Sequence, residues 1–356
     1  MAAFSREEVL AYHKGGKVGV RLPKELKTKE DLCLAYTPGV AQAVKAIAEK
    51  PSAVYDCTAK PNLVAVVSDG TAILGLGDLG AAASIPVMEG KAVLFKSFGD
   101  VDAWPVPLAH CRQEGKDTGK TDPQRVIAAV MALAPQYGGV NLEDIAAPAC
   151  FEIEDKLDAM LDIPVFHDDQ WGTAVIALSG VMNYATLAGK NLSDLKVVMN
   201  GAGAAGIRIC EMCKAAGVAD VTMCDSKGVI STARTDLNPY KARHAVATDA
   251  KTLKEALRGA LDVRARTINK EMKVAAANAL AMLARKDVPP EVQSLYPDEK
   301  LVFGDGYIIP KPFDRRLFVE VSYAVAEAAV KSGVAQVDVD LSAYRASLED
   351  RNRSRV

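Results

Sequence analysis

Short uninterrupted apolar runs alternate along this chain with longer stretches of helical period, and that alternation predicts an α/β fold. Residues 63–67 read Leu-Val-Ala-Val-Val, apolar throughout and rich in β-branched side chains, as a strand buried on both faces requires. Further strands are expected at 91–96, just before Glu143, at 163–166 and at 197–199, with Lys91 opening the first of them. Helical patterns are expected at 5–14, 40–50, 123–133, 151–161, 173–187, 251–257 and 275–283. Residues 15–20 read as a turn into a strand, and 104–123 as a polar surface loop to which no chemistry attaches. In the 151–161 helix, Glu152, Glu154, Asp155 and Asp158 read as a solvated face, and the charged residues 349–355 as a solvated tail.

The stretch 197–225 is the most specific. An apolar strand runs through Asn200-Gly201-Ala202-Gly203-Ala204-Ala205-Gly206 into a helix, and a second strand closes on Asp225. Glycines at that spacing let the backbone turn tightly against a pyrophosphate, and an acid about 20 residues on can accept from a ribose hydroxyl. A second match, Gly75-Leu76-Gly77-Asp78-Leu79-Gly80, lacks the following strand and acid. The dinucleotide is therefore assigned to Gly201, Gly203 and Gly206, with Ala204 and Ala205 between them and Asp225 at the ribose, and the 75–80 segment is read as a tight active-site turn. Asp225 favours NAD, while Lys227 could offset a 2′-phosphate and keeps NADP open.

Two strand ends deliver acid pairs, Glu143-Asp144 and Asp168-Asp169. In an α/β sheet both pairs would gather at one edge, a concentration of like charge that a hard divalent cation, Mg²⁺ or Mn²⁺, resolves through oxygen ligands. His167 reads as a packing residue beside that site, since the chain has four histidines and no H-x-x-x-H pair. Tyr36 precedes the Pro38-Gly39 bend and sits on rigid backbone.

Charge and composition narrow the partners. The 356 residues suggest about two domains, and 43 basic against 45 acidic residues leave no basic field for nucleic acid. No run approaches the roughly 20 apolar residues of a membrane helix, and no signal-peptide core follows Met1, so the cytoplasm is expected. Seven cysteines without framework spacing argue for reduced thiols. Cys210 and Cys213 form a C-x-x-C on the helix after the glycine turn, where that spacing places them on one face without a second pair to complete a zinc site.

Taken together, the motifs resemble those of the malic enzymes, in particular the short bacterial and archaeal form. The resemblance rests on Ala35-Tyr36-Thr37-Pro38-Gly39-Val40-Ala41, Val66-Val67-Ser68-Asp69-Gly70-Thr71, Leu74-Gly75-Leu76-Gly77-Asp78 and Met88-Glu89-Gly90-Lys91, in that order. It continues through Asn141-Leu142-Glu143-Asp144-Ile145, Phe166-His167-Asp168-Asp169-Gln170, the 200–206 turn and Cys224-Asp225-Ser226-Lys227-Gly228. It implies an N-terminal α/β substrate and metal domain at 1–170 and a Rossmann-like dinucleotide-binding domain with C-terminal helices at 171–356. It implies that Glu143, Asp144 and Asp169 hold the metal, that Lys91, its pKa depressed, is the general base and Tyr36 the general acid, and that Asp168 is a partner of the metal site or Lys91. The reaction implied is oxidative decarboxylation of malate, by way of oxaloacetate, to pyruvate and CO₂ with NAD or NADP, in a homodimer or higher homo-oligomer.

Three departures stand out. Trp171 occupies the position after Asp-Asp-Gln where the short enzymes usually carry histidine, and the 110–120 loop is longer than usual. After Asp225, a single helical run at 251–257 leads through Arg258-Gly259-Ala260-Leu261-Asp262 to the closing helices, so the cofactor domain reads as truncated to its first half. Two rival activities follow from that shortening: a cofactor-independent oxaloacetate decarboxylase, or a catalytically silent subunit.

Overall fold

Strand β1 (Leu63–Ser68) forms where the sequence has its β-branched apolar run, and Val64 through Ser68 are all buried. It is one of two interior strands of a four-stranded parallel sheet ordered β2-β1-β3-β4, with β2 at Asp102–Pro107, β3 at Gly139–Leu142 and β4 at Val165–His167. Parallel strands all end at the same edge, so Asp69, Glu143-Asp144 and Asp168-Asp169, each following a strand, are delivered to that edge. In this computed structural model the described residues are 4–115, 119–225, 228–230, 235–243 and 268–354.

The helices of the first unit are α1 (Arg6–His13), α2 (Lys29–Ala35), α3 (Val40–Glu49), α4 (Val54–Cys57), α5 (Ala81–Gly99), α6 (Pro123–Leu133) and α7 (Ala149–Met160). None of α1 to α4 buries a side chain. A second sheet pairs β5 (Lys196–Asn200) with β6 (Asp220–Asp225) in parallel and β6 with β7 (Gly228–Val229) in antiparallel. Helix α8 (Asp168–Leu187) leads into it, and α9 (Ala204–Ala215) joins β5 to β6 as a βαβ unit. After α10 (Pro239–Ala242), helices α11 (Lys270–Ala284), α12 (Pro290–Ser294), α13 (Arg316–Lys331) and α14 (Leu341–Ser354) follow, with α11 packed on α8, α9 and α13. Among the described residues the second sheet has these three strands and no mate for the other half of a doubly wound fold.

Several local expectations change. Lys91 lies within helix α5, where Ser84, Met88, Ala92, Phe95 and Gly99 form a buried stripe at helical spacing; the apolar run at 92–95 is too short to reveal that period by itself. Residues 15–20 form no strand. The 104–123 stretch contributes β2 and buries Cys111, Arg112 and Thr121. Glu154 is buried in α7, and residues up to Ser354 continue α14, which buries Leu348. The helical run expected at 251–257 lies outside the described residues.

One buried cation closes the turn into β3. Lys60 is buried and its Nζ donates to the carbonyls of Ala134 at 3.0 Å and Pro135 at 3.1 Å and to that of Tyr137. Burial pushes its pKa down. Lys60→Met would strand these carbonyls without a donor, and a loss of about 2–3 kcal/mol is expected in urea denaturation.

Candidate active site

Where β1 ends, Asp69 is fully buried and organises the turn that follows. Its carboxylate accepts from the Thr71 amide at 3.1 Å, from the hydroxyls of Thr71 and Thr121, and from Arg112 Nη1 at 2.9 Å. Thr71 Oγ1 accepts in turn from the Ala146 amide at 2.8 Å, which locks the loop after Glu143-Asp144 against the β1 end. Arg112 also reaches Asp78 at 3.0 Å, so it clamps the 75–80 turn to the same point. Gly70 has a φ of +71°, and a Cβ there would stand 2.3 Å from the Gly80 carbonyl oxygen, which leaves glycine as the residue that fits. Sequence reasoning missed Arg112 because nothing in a polar loop signals that one of its cations is buried.

At the β3 and β4 ends the acids meet Lys91. Its ammonium forms ion pairs with Glu143 and Asp168, and Asn141 donates to Glu143 at 2.8 Å. The Asp144 amide donates to Asp169 at 2.8 Å, and the Leu74 amide reaches Asp144 Oδ1 at 3.4 Å. Asp144 Oδ2 is buried with no partner. Burial alone would lower the pKa of Lys91, but the charges of Asp168 and Glu143 outweigh it and hold the lysine protonated. That overturns the expected depressed lysine: two carboxylates face it in the structure. Burial pushes Glu143 above the carboxylate range, and burial together with the Asp169 charge pushes Asp144 up to about 6.

Among the described residues, no three His, Cys, Asp or Glu side chains stand in a metal-holding arrangement. Glu143, Asp144 and Asp169 therefore share one edge, with Glu143 engaged by Lys91 and Asp169 by the Asp144 amide. His167 is fully buried and neither ring nitrogen has a hydrogen-bond partner, while Nδ1 stands 3.9 Å from Asp169 Oδ2. Tyr36 is 68% exposed and is not brought into hydrogen-bond contact with the Lys91 cluster.

The 201–206 stretch forms the turn between β5 and α9 that its glycines predict. Gly203 precedes α9, whose first turn has no side-chain cap, and a Cβ at that glycine would meet nothing within 4 Å, so the helix start is a donor array suited to phosphate. At Gly206 a Cβ would stand 2.2 Å from the Gly201 carbonyl oxygen, so the close seat of helix on turn depends on glycine. Ala204 and Ala205 begin the helix. Asp225 pairs with Lys241 of α10 at 2.9 Å, and Lys227 lies outside the described residues. Burial raises the thiols of Cys210 and Cys213 to about 12 and about 11, which agrees with packing roles.

A parallel sheet with acids and a lysine at its carboxyl edge, followed by a βαβ unit with a glycine turn, defines an α/β protein of two such units. The family model described as "Malic enzyme, N-terminal domain" matches residues 16–158, and "Malic enzyme, NAD binding domain" matches residues 171–260. The NADP-dependent malic enzyme of Rhizobium meliloti (strain 1021) is 43% identical over 432 aligned positions, which cover 99% of this chain and 56% of that protein. The NAD-dependent malic enzyme of Geobacillus stearothermophilus is 39% identical, covering 92% of this chain and 79% of that one. A crystal structure of malic enzyme from Pyrococcus horikoshii Ot3 superposes with a TM-score of 0.78 at 32% identity, over 98% of this chain and 99% of that one. The chain belongs to the malic enzyme family. It spans about half the length of the Rhizobium relative. That alignment also has more positions than the chain has residues, so the relative carries internal segments that this chain lacks.

Proposed function

We propose that this chain oxidatively decarboxylates (S)-malate to pyruvate and CO₂ while reducing NADP or NAD. The observation that carries the reading is Lys91 held between Glu143 and Asp168 at the carboxyl edge of the first sheet. The buried, unpartnered Asp144 Oδ2 and the raised Asp144 pKa are what an oxygen ligand lacking its cation would show, so Asp144 suits Mg²⁺ or Mn²⁺, and Glu143 and Asp169 on the same edge are assigned to complete its set. A divalent cation held there would balance these carboxylates and would supply Lewis acidity toward the C2 hydroxyl and the ketone formed from it.

The side chains do the rest. Lys91, freed of its proton once a divalent cation balances Glu143, would accept the C2 hydroxyl proton as hydride leaves C2 for the nicotinamide, and Asp168 would stabilise the resulting ammonium. The loop locked by Thr71 and Arg112 keeps the acids fixed during that transfer. Tyr36 is assigned the proton delivered to C3 after decarboxylation. A homodimer is assigned as the assembly, and it would cover apolar side chains left exposed on the N-terminal helices, among them Leu32, Leu34 and Val44. The domain division at residue 170 falls in the first turn of α8, in the interval between the two family matches. Among the described residues no helix is long and apolar enough to cross a membrane, and the cytoplasm is the assigned compartment.

Lys241 favours NADP, because its ammonium stands on Asp225 at the ribose end of β6 and supplies positive charge for a 2′-phosphate. Lys241→Ala is expected to weaken 2′,5′-ADP more than tenfold in calorimetry and to leave 5′-AMP within about twofold. The function itself is tested by purified protein with malate, Mn²⁺ and either dinucleotide, read by absorbance of the reduced cofactor. No turnover with either dinucleotide sinks it. Oxaloacetate loss above the Mn²⁺ background, abolished by Lys91→Ala, would then leave the decarboxylase reading favoured by the three-stranded second sheet.

A further inference from the structure

Helix α9 carries an arginine that reaches back to the acidic strand ends. Arg208 stands two residues after Gly206 and is 7% exposed. Its Nε donates to Gln170 Oε1 at 2.8 Å, on the residue next to Asp169, and its Nη2 and Nη1 reach Glu154 at 3.4 Å and Glu211 at 3.0 Å. The guanidinium carbon lies 4.5 Å from the centre of the Trp171 ring and 5.3 Å from that of Phe151.

Each of these partners belongs to one half of the site. Glu154 accepts from the His167 amide and from Trp171 Nε1, both at 3.0 Å, so the acid gripped by Arg208 also holds the end of β4 that delivers Asp168 and Asp169. Phe151 stacks on Tyr240 at 4.4 Å, and the neighbouring Lys241 pairs with Asp225. Gln170 is fully buried, its amide nitrogen has no partner, and its one side-chain hydrogen bond among the described residues is to Arg208. A buried polar group left half satisfied costs stability, so the packing of Gln170 is spent on that contact.

We propose that Arg208 is a positioning residue that holds the 201–206 nucleotide turn in register with the acids at the β4 end, and so sets the distance across which hydride moves. Its planar fork spans four acceptors, the fourth being Asp155 at 3.5 Å from Nη2, while it packs on two rings, a set of contacts an ammonium cannot reproduce. Trp171 shapes the other side of that seat, which gives the departure from histidine at this position a partner in α9.

The kinetic test rests on the malate reading and uses Arg208→Met, Arg208→Lys and Gln170→Met. NADPH affinity by fluorescence and Mn²⁺ affinity by calorimetry are expected within about threefold of wild type. The kcat for malate should fall about a hundredfold in both Arg208 variants and about tenfold in Gln170→Met, with a larger isotope effect from malate deuterated at C2. A fall in kcat that merely tracks lost folded protein or lost NADPH affinity, with the isotope effect unchanged, overturns the proposal. So does recovery of full kcat in Arg208→Lys. Should Arg208→Met not fold, Gln170→Met decides, because it removes the contact next to Asp169 and leaves the arginine with its acidic partners. If wild-type protein does not turn over malate, the function reading fails, and Arg208 is judged by binding alone. Mn²⁺ should then tighten NADPH about fivefold or more in wild type and not in Gln170→Met, whereas equal coupling in both, or none in wild type, overturns it.

Discussion

Lys91→Ala is expected to lower kcat for malate by about a thousandfold, within the range a positioned acid-base group contributes, while KM for the dinucleotide changes little. The lysine lies in α5, away from the glycine turn, and its ammonium is engaged by Glu143 and Asp168. Removing it has a second effect. It leaves buried carboxylates without their cation, a change that typically costs about 3–5 kcal/mol. Metal-free Lys91→Ala should therefore melt well below wild type, and Mn²⁺ should recover much of the melting temperature without recovering turnover. Loss of turnover with unchanged melting would place Lys91 outside the carboxylate cluster seen here.

Asp144 gives the second large effect. Its pKa is raised to about 6 by burial and by Asp169, so the folded protein binds that proton more tightly than the unfolded chain does. Its contribution to stability is complete below the ordinary aspartate value near 4 and is lost as pH rises through about 6. Metal-free protein should become less stable across that window. Mn²⁺ competes with the proton for the same carboxylate, so it should raise the melting temperature by several degrees at pH 7.5 and scarcely at pH 5. Asp144→Asn, which carries no charge to bury or to offer, should flatten the pH dependence and weaken Mn²⁺ binding at least tenfold in calorimetry. A pH profile identical to wild type would remove Asp144 from the metal set.

Legibility along the sequence followed the range of the interactions. Strand β1 and the βαβ unit could be read because a buried parallel strand needs a continuous apolar run and a phosphate turn needs glycines at fixed spacing, both properties of neighbouring residues. Lys91 was assigned to a strand because its helix shows its buried stripe only across 84–99, longer than the run that attracted the reading. Glu154 resembled any acid of an amphipathic helix, and its burial follows from Arg208, 54 residues later. Arg112 was hidden for the same reason, since its acceptor Asp69 is 43 residues earlier.

By itself the sequence determined the α/β class, the glycine turn at Gly201, Gly203 and Gly206 that leads β5 into α9, and the acids that end two strands, because local sterics and periodicity write these directly into residue order. Only the tertiary structure decided that Lys91 faces two carboxylates and is held protonated, that Asp144 is buried with an unpaired oxygen, and that Arg208 joins the nucleotide helix to the acidic edge. Burial and charge pairing depend on which distant side chains share a low-dielectric space, and residue order carries no term for that proximity until the chain is folded.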